Sequence, residues 1–120
     1  MELKIAITIK SYKEIYNSAS YDRLQSEEYN VTVWFNKWNE NFEFYELIQA
    51  MEFMNILYSS FENGLLKGMD QFEPFYFAHD IYKAIERKRK PLTSDEIKFI
   101  AHNVRSDDYV FEGDKCGISI

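Results

Sequence analysis

An α+β domain is the fold class this sequence predicts, and three observations predict it. Residues 3–10 and 29–36 alternate apolar and polar side chains with the period of two that a half-buried strand requires. Residues 41–64, 75–90 and 93–105 repeat their apolar side chains every three to four positions, as amphipathic helices do. The order of strands, then helices, then two short apolar runs suits about four short strands in a mostly antiparallel sheet with three main helices packed on one face. With 120 residues, 46% hydrophobic and 18% aromatic, residues 1–120 are expected to form a single globular domain.

The first strand rests on Leu3, Ile5, Ile7 and Ile9, which alternate with Lys4, Ala6, Thr8 and Lys10. Ser11 and Glu14 have capping-box spacing, so a short helix from Tyr12 to about Ser18 is expected next. Residues through Glu28 mix helical and turn signals. Tyr29 to Asn36 reads as the second strand, with Val31, Val33 and Phe35 on one face and Thr32 and Trp34 on the other. Lys37 to Asn41 is expected to be a polar turn. Asn41 then serves as N-cap of a central helix, with Glu43 and Glu46 in or near its first turn and Gly64 in the left-handed position after its last. On that helix Phe44, Leu47, Ile48, Met51, Met54, Tyr58 and Phe61 form the stripe expected to face the core, while Tyr45, Phe53 and Ile56 project from the other side.

Pro74 suits the first turn of a second helix, since its missing N–H would be unpaired there anyway. Phe77, Ala78, Ile81, Tyr82, Ala84 and Ile85 give that helix its apolar side, and Pro91 ends it. Thr93 and Glu96 form a second capping box, opening a third helix with Ile97, Ile100, Ala101 and Val104 inward. Residues 109–112 and 116–120, joined around Gly113 and Asp114, complete the pattern as a terminal hairpin.

Cys116 is the single cysteine, which excludes an intramolecular disulfide and any zinc or iron–sulfur site built on several thiolates. The N-terminus lacks the charge and apolar run of a signal peptide, and no stretch reaches transmembrane length, so a cytoplasmic protein with no membrane contact is expected. Net charge is −6, with ten acidic and two basic residues between 27 and 80. A field of that sign repels phosphate, which argues against direct nucleic-acid binding and favours a basic protein as partner.

Catalytic signatures are missing. There is no Gly-rich phosphate loop, no G-x-S-x-G elbow and no H-E-x-x-H, so no enzyme, catalytic residue, metal or cofactor is expected. His79 beside Asp80 reads as chance adjacency on a solvated face, and His102 as a cation at a helix C-terminus. Cys116 reads as a small core residue. The basic run Arg87 to Lys90 reads as charge complementing the end of its helix.

The acidic, aromatic middle carries the candidate site. Trp38, Glu40, Glu43, Tyr45, Glu46, Glu52, Phe53, Asp70, Glu73 and Tyr76 are the residues expected to bind a partner. Two readings are open: the carboxylates keep an aromatic-rich protein soluble, or aromatic anchors bury in pockets of a partner while carboxylates pair with its basic groove. Phe, Tyr, Ile, Asn and Lys, all with A/T-rich codons, are abundant, which points to a low-GC bacterial or phage gene. In size, charge and genome type the chain resembles the small acidic inhibitors that phages and mobile elements use against host nucleases, of anti-CRISPR and anti-restriction type. That resemblance implies a non-enzymatic protein in the bacterial cytosol that blocks a nuclease or Cas effector, in the manner of a DNA mimic if its carboxylates follow phosphate-like spacing. An immunity protein or antitoxin against a cognate toxin is one alternative, and a small homo-oligomeric subunit another.

Overall fold

The computed structural model describes residues 1–13, 25–88 and 90–105. Their order is β1 (Leu3–Lys13), β2 (Gln25–Phe35), β3 (Trp38–Phe44), α1 (Leu47–Glu62), α2 (Glu73–Lys88) and α3 (Ser94–Val104). The fold is α+β, with a three-stranded antiparallel sheet in the order β1-β2-β3. The expected terminal hairpin, residues 109–112 and 116–120, lies outside the described residues, as does most of the short helix expected after Ser11. Tyr12 and Lys13 themselves continue β1, paired with Ser26 and Gln25. The chain parts into two compact units, Met1–Asn55 and Ile56–Ile120.

In the first unit the alternation of β1 and β2 is used as expected. Leu3, Ile5, Ile7 and Ile9 stand opposite Phe35, Val33, Val31 and Tyr29, and these stand opposite Trp38, Glu40, Phe42 and Phe44 of β3. That face is the core side: Val31, Val33, Phe35, Phe42 and Phe44 are buried. The other face carries Lys4, Thr8, Asn30, Thr32, Trp34, Asn41 and Glu43. There Thr32 Oγ1 donates to Asn41 Oδ1 at 2.6 Å, and the Lys4 ammonium lies 4.9 Å from the Trp34 ring centroid. At the core-face margin the Tyr29 hydroxyl donates to Glu27. That bond and burial raise the hydroxyl above its usual 10.0, because an acceptor carboxylate favours the protonated form.

β3 is a correction to the sequence reading, which placed a turn at Lys37–Asn41 and a helix from Asn41 onward. The turn is only Asn36 and Lys37, between the paired residues Phe35 and Trp38. Asn36 has φ 58°, a left-handed conformation that asparagine tolerates well. Its Oδ1 accepts from Glu2 N at 2.9 Å, and its N–H donates to the Glu2 carbonyl at 2.9 Å. Trp38, Phe42 and Phe44 at period two then favour a strand over a helix, since one face of β2 is already apolar and needs a neighbour.

α1 starts at Leu47 and buries the opposite face from the one expected. Ala50, Phe53, Ile56, Leu57 and Ser60 are buried, whereas Leu47, Ile48, Met51 and Tyr58 are exposed. In the first unit Phe53 is fully buried, its ring centroid 4.8 Å from Phe42 and 5.3 Å from Phe44 with tilted planes. Burying such a ring contributes about 1.5–3 kcal/mol, and tilted aromatic pairs add to it. The larger apolar stripe therefore lost to the one that fits β3.

In the second unit α1 ends as expected at Gly64, φ 76°. The Leu65 N–H reaches the Ser60 carbonyl at 2.9 Å, the bond that closes a helix with a left-handed residue after its last turn. Phe77, Ala78, Ile81 and Ile85 of α2 are buried as expected, together with Pro74 and Phe75. The α3 capping box forms: Glu96 N donates to Thr93 Oγ1 at 3.2 Å and Thr93 N to Glu96 Oε1 at 2.7 Å. Lys88 closes the α2–α3 corner, its Nζ 2.5 Å from Glu96 Oε1. The Arg105 guanidinium, at the C-cap of α3, donates to the Leu65 carbonyl and, at 2.7 Å, to that of Lys67.

Candidate functional site

Seven of the ten residues expected to bind a partner belong to the first unit. Trp38 opens β3, half exposed, with the Lys37 ammonium 5.6 Å from its ring centroid. Glu40 stands opposite Val33 on the core-side face, and Glu43 stands opposite Asn30 on the other. Strand alternation therefore sends these two carboxylates to opposite faces of the sheet. Phe53 is corrected outright, because a fully buried ring between Phe42 and Phe44 is no surface anchor. Ile56, expected on the same exposed side, is also buried.

Tyr45 and Glu46 form the bend between β3 and α1, and the Glu46 carbonyl accepts from Ala50 N at 3.2 Å. That bond fixes the direction in which the first turn of α1 leaves the sheet. Tyr45 is 69% exposed, Ile48 74% and Met51 50%; Leu47 joins them and Glu46 is exposed beside them. Glu52, half-buried, flanks Ile48 and Met51 one position on. Sequence reasoning missed Leu47, Ile48 and Met51 by assigning them to the core. The signal that could have found them is the period-two run Trp38–Phe44, which leaves Phe53 as the side chain able to cover β3.

The other three fall in the second unit. The Asp70 carboxylate accepts from the N–H groups of Phe72 and Glu73, both at 2.8 Å. Glu73 Oε1 accepts in return from Asp70 N at 3.1 Å. These two carboxylates therefore satisfy backbone donors at the start of α2, where the helix dipole also favours them. Tyr76 is half-buried on α2.

No family model, curated protein or solved structure matches the chain. Function has to be read from the chain's own surface.

Among the described residues no group of three or more His, Cys, Asp or Glu side chains could hold a metal ion. No helix there is long and apolar enough to cross a membrane. Cys116 lies outside the described residues, while His79 sits half-buried on α2 and His102 exposed on α3. What the structure brings together is an exposed apolar cluster, Tyr45, Leu47, Ile48 and Met51, with Glu46 and Glu52 at its margin. Such a surface excludes water when covered and offers carboxylates at its rim, the arrangement of a protein-docking patch.

Proposed function

We propose that this chain is a small acidic binding protein that docks a basic protein through the outward face of α1. The observation that carries the reading is the exposure of Leu47, Ile48 and Met51 on a helix whose opposite face is already buried, with Tyr45 exposed in the bend before it. A helix needs one apolar face to fold; a second one exposed to water costs solubility unless something covers it. Large apolar side chains at the centre would supply affinity, and Glu46 and Glu52 would orient a basic partner and speed its approach.

The partner class that fits best handles nucleic acid, because a groove that attracts phosphate also attracts a chain of net charge −6. On this reading the protein occludes that groove, as an inhibitor of a bacterial defence nuclease would, and performs no chemistry. The test is capture of a basic nuclease by the tagged chain at low salt, loss of the complex at high salt, inhibition of the nuclease in the complex, and loss of both by Met51→Lys. Capture that ignores Met51→Lys, or a complex in which the nuclease keeps full activity, would sink the proposal.

The same apolar cluster favours a second reading, self-association through α1. Sedimentation over a range of concentrations separates the two: a monomer throughout leaves the cluster for a foreign partner.

A further inference from the structure

β1 is an edge strand. Its inner side pairs with β2 from Leu3 to Lys13, and among the described residues no strand pairs with its outer side. Sheets usually protect such an edge with a proline, a bulge or a charge turned to the core side. Here the register runs unbroken from Leu3 opposite Phe35 to Lys13 opposite Gln25, the strand has no proline, and its core-side row Leu3, Ile5, Ile7 and Ile9 is wholly aliphatic. That row is poorly covered: Leu3, Ile5 and Ile7 are half-buried and Ile9 is 54% exposed.

The outward backbone groups belong to the same four residues. The Asn36 N–H donates to the Glu2 carbonyl, so Glu2 turns its backbone toward β2, and by antiparallel alternation so do Lys4, Ala6, Thr8 and Lys10. Leu3, Ile5, Ile7 and Ile9 therefore turn their N–H and C=O groups to the free edge. A strand that fills this edge must match that hydrogen-bond phase, bring apolar side chains on the core side, and set nothing repulsive against Glu2, Lys4 and Lys10.

A second copy of β1 meets all three conditions in one register. Laid antiparallel about a two-fold axis at Ala6, it sets Leu3 opposite Ile9 and Ile5 opposite Ile7, every one of them in the hydrogen-bonding phase. On the other face Glu2 then stands opposite Lys10 on both sides of the axis, Lys4 opposite Thr8, and Ala6 opposite itself. Moving the axis to Ile7 sets Lys4 against Lys10, moving it to Lys4 sets that lysine against itself, and an axis at Ile5 makes no ion pair; like charges directly opposite are destabilising. The chain's net charge of −6 lies elsewhere, since residues 2–10 hold two lysines and one glutamate.

We infer that two copies of this chain pair through β1, antiparallel about Ala6, joining their three-stranded sheets into one continuous sheet with Glu2–Lys10 ion pairs at both ends of the joint. The inference does not rest on the docking role of α1. That helix packs on β3 through Phe53, at the opposite edge of the sheet, so the joint uses none of Tyr45, Leu47, Ile48 and Met51.

Sedimentation of the full chain at concentrations up to about 1 mM should show a monomer–dimer equilibrium, and exchange of the Leu3, Ile5, Ile7 and Ile9 amides should slow as the dimer forms. Glu2→Lys and Ala6→Lys, both at exposed positions, should each weaken the dimer by about tenfold without changing the circular dichroism spectrum. Adding Lys10→Glu to Glu2→Lys exchanges the two charges and should restore pairing to within about threefold of the parent. Met51→Lys should leave the dimer unchanged. A monomer at every concentration overturns the inference, leaving the edge to another strand. A dimer that Met51→Lys disperses and Ala6→Lys does not overturns it too, assigning association to the α1 cluster, as does a charge exchange that fails to restore pairing. A basic protein captured through Met51 by a strictly monomeric chain would remove the β1 joint and leave the docking role of α1 standing; a β1 dimer that captures nothing would do the reverse.

Discussion

Phe53 and Ile48 occupy neighbouring turns of one helix and are both large and apolar, yet they have opposite roles. Phe53 lies between Phe42 and Phe44, so Phe53→Ala should cost about 3–5 kcal/mol in urea unfolding. Ile48 faces water, so Ile48→Ser should change stability by no more than about 0.5 kcal/mol. The reverse order of these two effects would show that α1 is turned the other way. Hydropathy does not rank the two residues. What separates them is which one meets a ring across from it, and that depends on β3, a contact no periodicity within α1 contains. Arg105 is a further case: an exposed cation at a helix end, it donates to the carbonyls of Leu65 and Lys67. Those acceptors lie some forty positions back in the sequence, so no local pattern foretold the bond. Arg105→Ala should lower stability by about 1 kcal/mol, since it leaves the carbonyls to water.

At the scale of elements, β1, β2, α2 and α3 were legible because each has a clean period and local punctuation. Pro74, Pro91 and the Thr93–Glu96 capping box act on their own neighbours and need no tertiary context. β3 was missed because Glu40 interrupts the period-two run of Trp38, Phe42 and Phe44 and Asn41 resembles a helix cap. Part of the acidic site was misread for the same reason: Asp70 and Glu73 have capping-box spacing themselves, and their carboxylates serve backbone N–H groups. The corner between α2 and α3 makes a pH prediction. The Lys88 ammonium, then the Thr93 N–H, hold the Glu96 carboxyl below its ordinary 4.5. Because the folded value is the lower one, the ion pair stabilises the fold above pH 4.5 and is lost as pH falls through the folded value. Glu96→Gln should therefore melt below the parent near pH 7, and the gap should close in acid. Thr93→Ala, which removes the other half of the box, should cost about 1 kcal/mol near pH 7.

The whole chain reads as an acidic protein with an uncovered apolar cluster, and those two properties are in tension. Net charge of −6 at neutral pH keeps copies apart, but that repulsion vanishes near the isoelectric point of about 4.9, leaving the α1 cluster free to associate. Light scattering should rise to a maximum near that pH, and Met51→Lys should reduce the maximum without changing the secondary structure measured by circular dichroism. A scattering maximum indifferent to Met51 would place the association elsewhere on the surface. Composition alone foretold the charge, while the α+β class came from the period of two in residues 3–10 and 29–36 and the helical periods that follow. The division into Met1–Asn55 and Ile56–Ile120 carries no mark in composition, because no glycine- or proline-rich stretch falls at that point.

The paired bonds between Asn36 and Glu2 also bear on the order in which the sheet assembles. The β2–β3 hairpin closes through two residues, whereas β1 must return across residues 14–24, so the hairpin forms with the smaller loss of chain entropy and β1 adds to it. The hairpin turn then presents both a donor and an acceptor to the incoming N-terminus, so Asn36 acts as a latch for the last strand to arrive. Asn36→Gly keeps the left-handed turn but removes the acceptor, and stopped-flow refolding should show unfolding accelerated with the folding rate nearly unchanged.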